Sequence, residues 1–587
     1  MDMIHFAKIW LPMLLLVATS AAAQNDGSKM GPARVTAVGR FMTDIEIRVD
    51  SNYVTGELDT TIIDNSRIVW EADGVDLKSI ENNDFYRNGE QVITEEINTG
   101  NVQADSILNR MKGRMRKIGG WAYQKGCLKD DVFQNFYYSI FTFEYPSIDC
   151  DGNPIMLSAI AAAPQENSTS RVNNVILGTH ITITADSQRP SAQQSGFGQD
   201  DWGMLFSLAA GNKLKYKSWV YLVRYVATLI TESAIGTVYS IVQDLLNDYS
   251  KADCNNNLVV MPDYEGYGLT KDRPHPYLYQ ELTARQCVDG LIAGKRLYET
   301  APELEPYRLP IRNNYRTVVC GYSQGGSVAM ACHRFIEKNG LSKQLHLSGS
   351  ICGDGPYDPM ATLMYYVKQA EEGTNMSMPC VLPLIMKGML DTNPYMKNHQ
   401  PSDYFSEGFL STGVLNKIAS KKYTTDDLND VLSNAGYKSM KKIMTPECYQ
   451  YFLNLYNTYK ETYVNSVFRA VPKYTNAAGI PLPSHRGVYE DLHFALAGND
   501  LTRGWQPKHQ LKMFHSQRDT VVPIDNYWSA YSNFSDMLQF SDLNCFQDHV
   551  EAGTTFFSQT SEVLVLLFNG LGLCENVNLV AGWDYDK

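Results

Sequence analysis

Histidine is scarce and scattered in this 587-residue chain, eleven in all, and neither C-x-x-C nor H-E-x-x-H occurs. No metal is expected on that footing, since zinc sites need clustered thiolate or imidazole ligands, and no cofactor signature appears either. Positive charge is also short. Lys and Arg number 51 against 64 Asp and Glu, the net charge is −13 with a pI near 5.4, and no basic cluster offsets it. Nucleic acid and anionic membrane surfaces are therefore excluded as electrostatic partners. No internal repeat is present. The stretch Ile9 to Ala18 is apolar apart from Pro12, with Lys8 before it and Ala21-Ala22-Ala23 before Gln24. That pattern reads as a secretory signal peptide over residues 1–23, and it is too short for a membrane span of about 20 apolar residues. The protein is expected to be exported, periplasmic or extracellular, with no stable membrane anchor. No cysteine follows the cleavage site closely, so a lipid-anchored form is not indicated.

All eleven cysteines lie beyond residue 23, so at least one has no intrachain partner. Cys320 and Cys332 read as small buried hydrophobes, while Cys127 with Cys150, or Cys545 with Cys574, are pairs an oxidising compartment allows but sequence does not establish.

The most informative stretch is Tyr315 to Gly340. Thr317 to Cys320 is a β-branched run that reads as a buried strand, Gly321-Tyr322-Ser323-Gln324-Gly325 fits G-x-S-x-G, and from Ser327 the apolar positions Val328, Ala331, Cys332 and Phe335 recur at helical spacing. A serine between strand and helix, flanked by glycines, is a nucleophile elbow: the turn forces Ser323 into a strained conformation that exposes its hydroxyl. Further strands are expected at 137–145 and 155–163, joined by a turn at Asp151-Gly152-Asn153, and at 174–179, 258–262, 345–352 and 511–516. Their faces are apolar on both sides and helical patterns separate several of them, so the fold class is α/β, an open, mostly parallel sheet flanked by helices. Residues 24–115 read as a partly β N-terminal extension, and 116–587 as the α/β-hydrolase domain. Two insertions interrupt the latter, one at 198–250, whose stretch 219–246 is either a core helix pair or a lid, and a tyrosine-rich helical cap at about 357–505.

A serine hydroxyl needs a base, and the base an orienting acid. In the order Ser, acid, His, the acid is expected at Asp519 in KMFHSQRDTVVP, with Asp525 as fallback. The base is expected at His549, thirty residues further on in CFQDHVEAG; His515 ends a strand, His493 lies in the cap, and Asp548 is too near in sequence to converge. For an oxyanion, one N–H is expected from Gln324 and a second from the segment Gly178-Thr179-His180, with Thr179 and His180 both candidates.

Several segments together resemble the secretory lipase family of α/β-hydrolases: Asp263-Tyr264-Glu265-Gly266 after a strand, Val288-Asp289-Gly290 in a helix, Gly321 to Gly326 as GYSQGG, Gly353-Asp354-Gly355-Pro356, and the large insertion before Asp519. The resemblance spans about residues 137–568 and implies hydrolysis of acyl esters, with the cap shaping the acyl site. The chain departs from the family in its N-terminal segment and the 198–250 insertion. A serine peptidase of the prolyl oligopeptidase type, which shares the elbow, and an inactive binding protein that keeps the fold are the alternatives.

Overall fold

The computed structural model describes residues 31–43, 45–51, 58–64, 67–71, 136–165, 171–192, 257–396, 398–465, 487–534, 538–542, 545–553 and 556. The expected signal peptide, most of the N-terminal extension, the 198–250 insertion and part of the cap lie outside these residues.

The strands are β1 (Arg34–Thr43), β2 (Ile45–Ser51), β3 (Leu58–Asp64), β4 (Arg67–Trp70), β5 (Phe136–Ile148), β6 (Pro154–Gln165), β7 (Asn174–Thr179), β8 (Asn257–Pro262), β9 (Thr317–Tyr322), β10 (Leu347–Gly353), β11 (Gln510–Phe514) and β12 (Leu538–Asp542). Ten of them make one sheet in the order β12-β11-β10-β9-β7-β8-β6-β5-β1-β4. From β8 through β12 every neighbouring pair is parallel, whereas β6, β5, β1 and β4 add antiparallel strands at the other end. Every residue of β7, β8 and β9 is buried, which is why these runs carry no polar alternation: helices cover both faces. The turn between β5 and β6 closes on Asp149, whose Oδ1 accepts from the N–H groups of Asp151 and Asn153, both at 2.9 Å.

The chain folds as an α/β-hydrolase. Between β8 and β9 runs helix α1 (Gln280–Thr300), and β9 feeds helix α2 (Gln324–Lys338). Their buried sides share one apolar cluster with β5, β7, β8 and β11. Between β10 and β11 the chain builds the helical cap, including α3 (Pro359–Glu371), α4 (Val381–Thr392), α5 (Pro446–Asn465) and α6 (Val488–Gly498). The cap has its own apolar cluster, around Met364, Leu382, Met389, Phe409, Leu428 and Phe452. That cluster also takes in Tyr277 and Leu278 from before α1, and Val521 and Val522 from the loop after β11, so the cap is seated over the carboxyl ends of the strands. Gly388 of α4 lies so close to the Tyr277 backbone that a Cβ there would meet its N and O at 2.7 Å.

Some strand ends differ from expectation, for local reasons. β9 continues two residues past Cys320, up to the turn itself. β10 begins at Leu347 because the preceding residues form a turn, with the Leu345 N–H on Leu341 O at 2.9 Å. β11 ends at Phe514, since the Ser516 N–H leaves the ladder to bond Asp354 Oδ1 at 2.9 Å. Within the N-terminal extension expected to be partly β, β2 and β3 pair as a separate two-stranded antiparallel sheet. Among the described residues no cysteine forms a disulfide and no helix is long and apolar enough to cross a membrane. Cys320 and Cys332 are fully buried; Cys127 and Cys574 lie outside the described residues.

Candidate active site

Ser323 sits between the last residue of β9 and the first of α2, with φ 58° and ψ −125°. A non-glycine residue is rarely found there, and the packing that enforces it is visible at Gly325: a Cβ on that residue would overlap the Thr179 carbonyl and stand 2.7 Å from the His180 carbonyl. Strand β7 thus presses on the elbow from one side. Gln324, as the first helical residue, has an N–H without an intrahelical acceptor.

His549 Nε2 lies 2.8 Å from Ser323 Oγ, and His549 Nδ1 lies 2.5 Å from Asp519 Oδ2. The other Asp519 oxygen accepts from the N–H groups of Val521 and Val522, at 2.8 and 2.9 Å. Ser323, Asp519 and His549 are all buried. Burial alone would lower the His549 pKa, but the Asp519 carboxylate and its hydrogen bond outweigh that and raise it above the ordinary histidine value. Burial would raise Asp519, yet His549, with His515 and the Val522 N–H behind it, holds it below the ordinary carboxylate value. With Nδ1–H given to Asp519, Nε2 is the nitrogen free to accept a proton from Ser323.

The remaining candidates fall elsewhere. Asp525 opens helix α7 (Asp525–Phe534). His515 is fully buried with Nε2 2.9 Å from Val522 O, His493 pairs with Tyr451 in the cap, and Asp548 accepts from the N–H groups of Val550 and Glu551. Thr179 Oγ1 lies 2.7 Å from Gly325 O and 3.0 Å from Cys320 O, so its single proton is spent on the elbow's carbonyls. The His180 ring is enclosed between the carbonyls of Ile181 and Asp263 and stacks on Tyr264 at 3.8 Å. Donation to an oxyanion from this segment is therefore left to backbone N–H groups, not to either side chain.

Three supporting contacts were not expected from sequence. Tyr322 Oη lies 2.6 Å from both Asp354 Oδ2 and the His549 carbonyl, tying the histidine loop to the end of β9. Burial, with the Asp519 charge beside it, pushes Asp354 up to about 6 against the pull of His515 and His549. The histidine loop is pinned a second time by Ser516 Oγ on Gln547 O at 2.6 Å. On the other side the Gln324 amide nitrogen donates to His275 Nε2 at 2.9 Å, while His275 Nδ1 bonds Glu265 O at 2.7 Å. Burial and the nearby Lys421 charge keep His275 well below its usual pKa, and so neutral. The position of Asp354 between two glycines at the carboxyl end of a parallel strand is the one signal that could have found it.

Among the described residues, two groups bring three ligand-type atoms within 4.8 Å of one another: Asp354, Asp519 and His549, and, away from the elbow, His333, Glu337 and His509. In both, each residue is already hydrogen-bonded within the protein. Glu337 Oε1 alone receives His333, His509 and two backbone N–H groups.

No protein family and no curated protein matches the sequence. Among solved structures the chain is similar to a candidate hydrolase of Legionella pneumophila (TM-score 0.48, 16% identity, 76% of this chain and 91% of that one). It is also similar to the rice cell wall degrading esterase LipA from Xanthomonas oryzae (TM-score 0.45, 18% identity, 74% and 90%) and to Candida antarctica lipase A in its closed state (TM-score 0.43, 13% identity, 74% and 78%). At TM-scores below 0.5 these likenesses add nothing to the fold assignment, which stands on strand order and the elbow.

Proposed function

We propose that this protein is an exported serine hydrolase of carboxylic esters, of the secretory lipase type, working through an acyl-enzyme on Ser323. The observation that carries the reading is the Ser323–His549–Asp519 line of hydrogen bonds at a strained strand-to-helix turn. His549 Nε2 takes the Ser323 Oγ proton as Oγ attacks the ester carbonyl; the carbonyl oxygen becomes an oxyanion facing the Gln324 N–H. Collapse of the tetrahedral adduct expels the alcohol, which leaves with the proton held on Nε2. Water then gives a proton to Nε2 and its oxygen to the acyl carbon, releasing the acid and restoring Ser323. Asp519 keeps Nδ1 protonated and stabilises the imidazolium at each stage. The cap, rich in Leu, Met and Tyr, supplies apolar walls suited to an acyl group.

A fluorophosphonate probe tests the nucleophile: wild type labels, and Ser323→Ala does not. A folded wild type that never labels would sink the enzyme reading in favour of a binding protein. A panel of aryl esters of increasing acyl length, set beside aminoacyl and prolyl amides, tests the substrate class. Esters are expected to be cleaved faster; a peptide amide that beats every ester makes the protein a peptidase.

A further inference from the structure

Between the cap and the loops after β7 and β8 lies a cavity of about 230 Å³. Its wall includes Tyr267, His275 and Tyr277 on the sheet side and Leu384, Lys387 and Lys421 on the cap side. Lys421 is only 7% exposed. It closes the cap helix Val414–Ser420 in a left-handed conformation, φ 54°, with its N–H on Ile418 O at 3.3 Å and its carbonyl accepting from the Asp186 N–H at 2.8 Å. The backbone is thus clamped on both sides, and the ammonium stands 4.9 Å from the centre of the Tyr267 ring.

That ammonium has no hydrogen-bond or ion-pair partner among the described residues, although carboxylates are near. Each of them is engaged elsewhere: Asp391 by Lys387 at 2.7 Å, Asp186 by Arg189 at 2.7 Å and by the Gly268 N–H, Asp149 and Glu265 by Arg273 at 2.6 and 3.0 Å. Asp272 sits exposed on the rim. Burial and the neighbouring Lys387 lower Lys421 to about 8, so it still carries its charge at neutral pH. An anion that enters the cavity therefore meets an ammonium with no direct partner, and a charge-assisted hydrogen bond to it is among the stronger ones.

We infer that this cavity is a subsite for a single carboxylate on the substrate, held by Lys421. One ammonium without a direct hydrogen-bond partner, with Asp391, Asp186 and Asp272 nearby, suits a monoanion and not a phosphate dianion. The space is larger than the ~150 Å³ that accommodates benzene, so a ring or short chain fits between Tyr267 and Tyr277 with its carboxylate on Lys421. One residue links the cavity to the elbow: His275 in its wall is bonded to Gln324, the neighbour of Ser323. Resting on the ester-hydrolase reading, the preferred substrate is then an ester that bears a second, free carboxylate, such as a half ester of a dicarboxylic acid.

Benzoate binding, measured by calorimetry, tests the site without requiring turnover. Wild type and Ser323→Ala should bind benzoate alike and at least tenfold tighter than uncharged benzyl alcohol, and Lys421→Met should lose tenfold or more. Benzyl alcohol binding as well as benzoate overturns the proposal in wild type alone, whether or not the variant folds. Unchanged benzoate affinity in folded Lys421→Met overturns it too. The second arm compares mono-4-nitrophenyl glutarate with 4-nitrophenyl valerate: the kcat/KM ratio should favour the glutarate and fall at least tenfold in Lys421→Met. Benzoate binding through Lys421 with neither ester cleaved would uphold the carboxylate site and reject the ester hydrolase. Cleavage of both esters with no preference for the charged one would detach the cavity from the substrate.

Discussion

At the scale of single residues, the electrostatics of His549 set the pH dependence. The base must be neutral to accept the Ser323 proton, and its pKa is raised by Asp519 beyond what burial removes, so the acid limb of kcat/KM should lie above the ordinary histidine value of about 6.5. Asp519→Asn removes the upward push and the constraint on the tautomer. The limb should move down, and turnover should drop by up to about 10⁴-fold. Asp525→Asn, at the start of α7, should cost far less, and the reverse ranking in a pH-rate series would transfer the acid role to Asp525. Ser323 was legible in the sequence because its chemistry is local: five residues, a strand before and a helix after. Asp519 and His549 followed from chain order. Tyr322 with Asp354, and Gln324 with His275, were not legible, because each depends on atoms that only the sheet brings together, with partners 32 to 227 residues away.

At the scale of elements, the cap and the acid loop are one assembly. Tyr366 of α3 donates its hydroxyl to Val521 O at 2.7 Å, and the Val521 and Val522 side chains belong to the cap's apolar cluster while their N–H groups hold Asp519. Tyr366→Phe removes one hydrogen bond, a loss of about 1 kcal/mol in stability, and loosens the backbone that orients the carboxylate. The expected signature is a severalfold fall in kcat for short esters with little change in KM. A change confined to KM would place the effect on substrate contact, not on Asp519. The parallel strands could be read from their runs because burial on both faces suppresses polar alternation. β12, five residues in LQFSD, carries too little apolar content to be distinguished from a loop, and the pairing of β1 with β5 is a long-range choice that no local pattern states.

At the scale of the whole molecule, Glu337 stitches the end of α2 to the segment entering β11. It receives the N–H groups of Lys508 and His509 and the rings of His333 and His509. Although burial alone would raise its pKa, those four partners hold it below the ordinary carboxylate value. A depressed carboxylate adds stability above its unfolded pKa of about 4.3, and that stability is lost as pH falls through the folded value. Burial lowers His333 as well, so its contribution is present at neutral pH and declines on acidification below about 6.5. Glu337→Ala should therefore cost about 3 kcal/mol in urea unfolding at pH 7 and flatten the stability profile below about pH 4.3; a wild-type-like slope there in the variant would assign that acid sensitivity to other groups. The 226-residue separation of Ser323 and His549 has one more consequence, for biosynthesis. At about 5–20 residues per second the ribosome exposes the nucleophile roughly 10–45 s before its base, so the growing chain passes through that interval chemically idle.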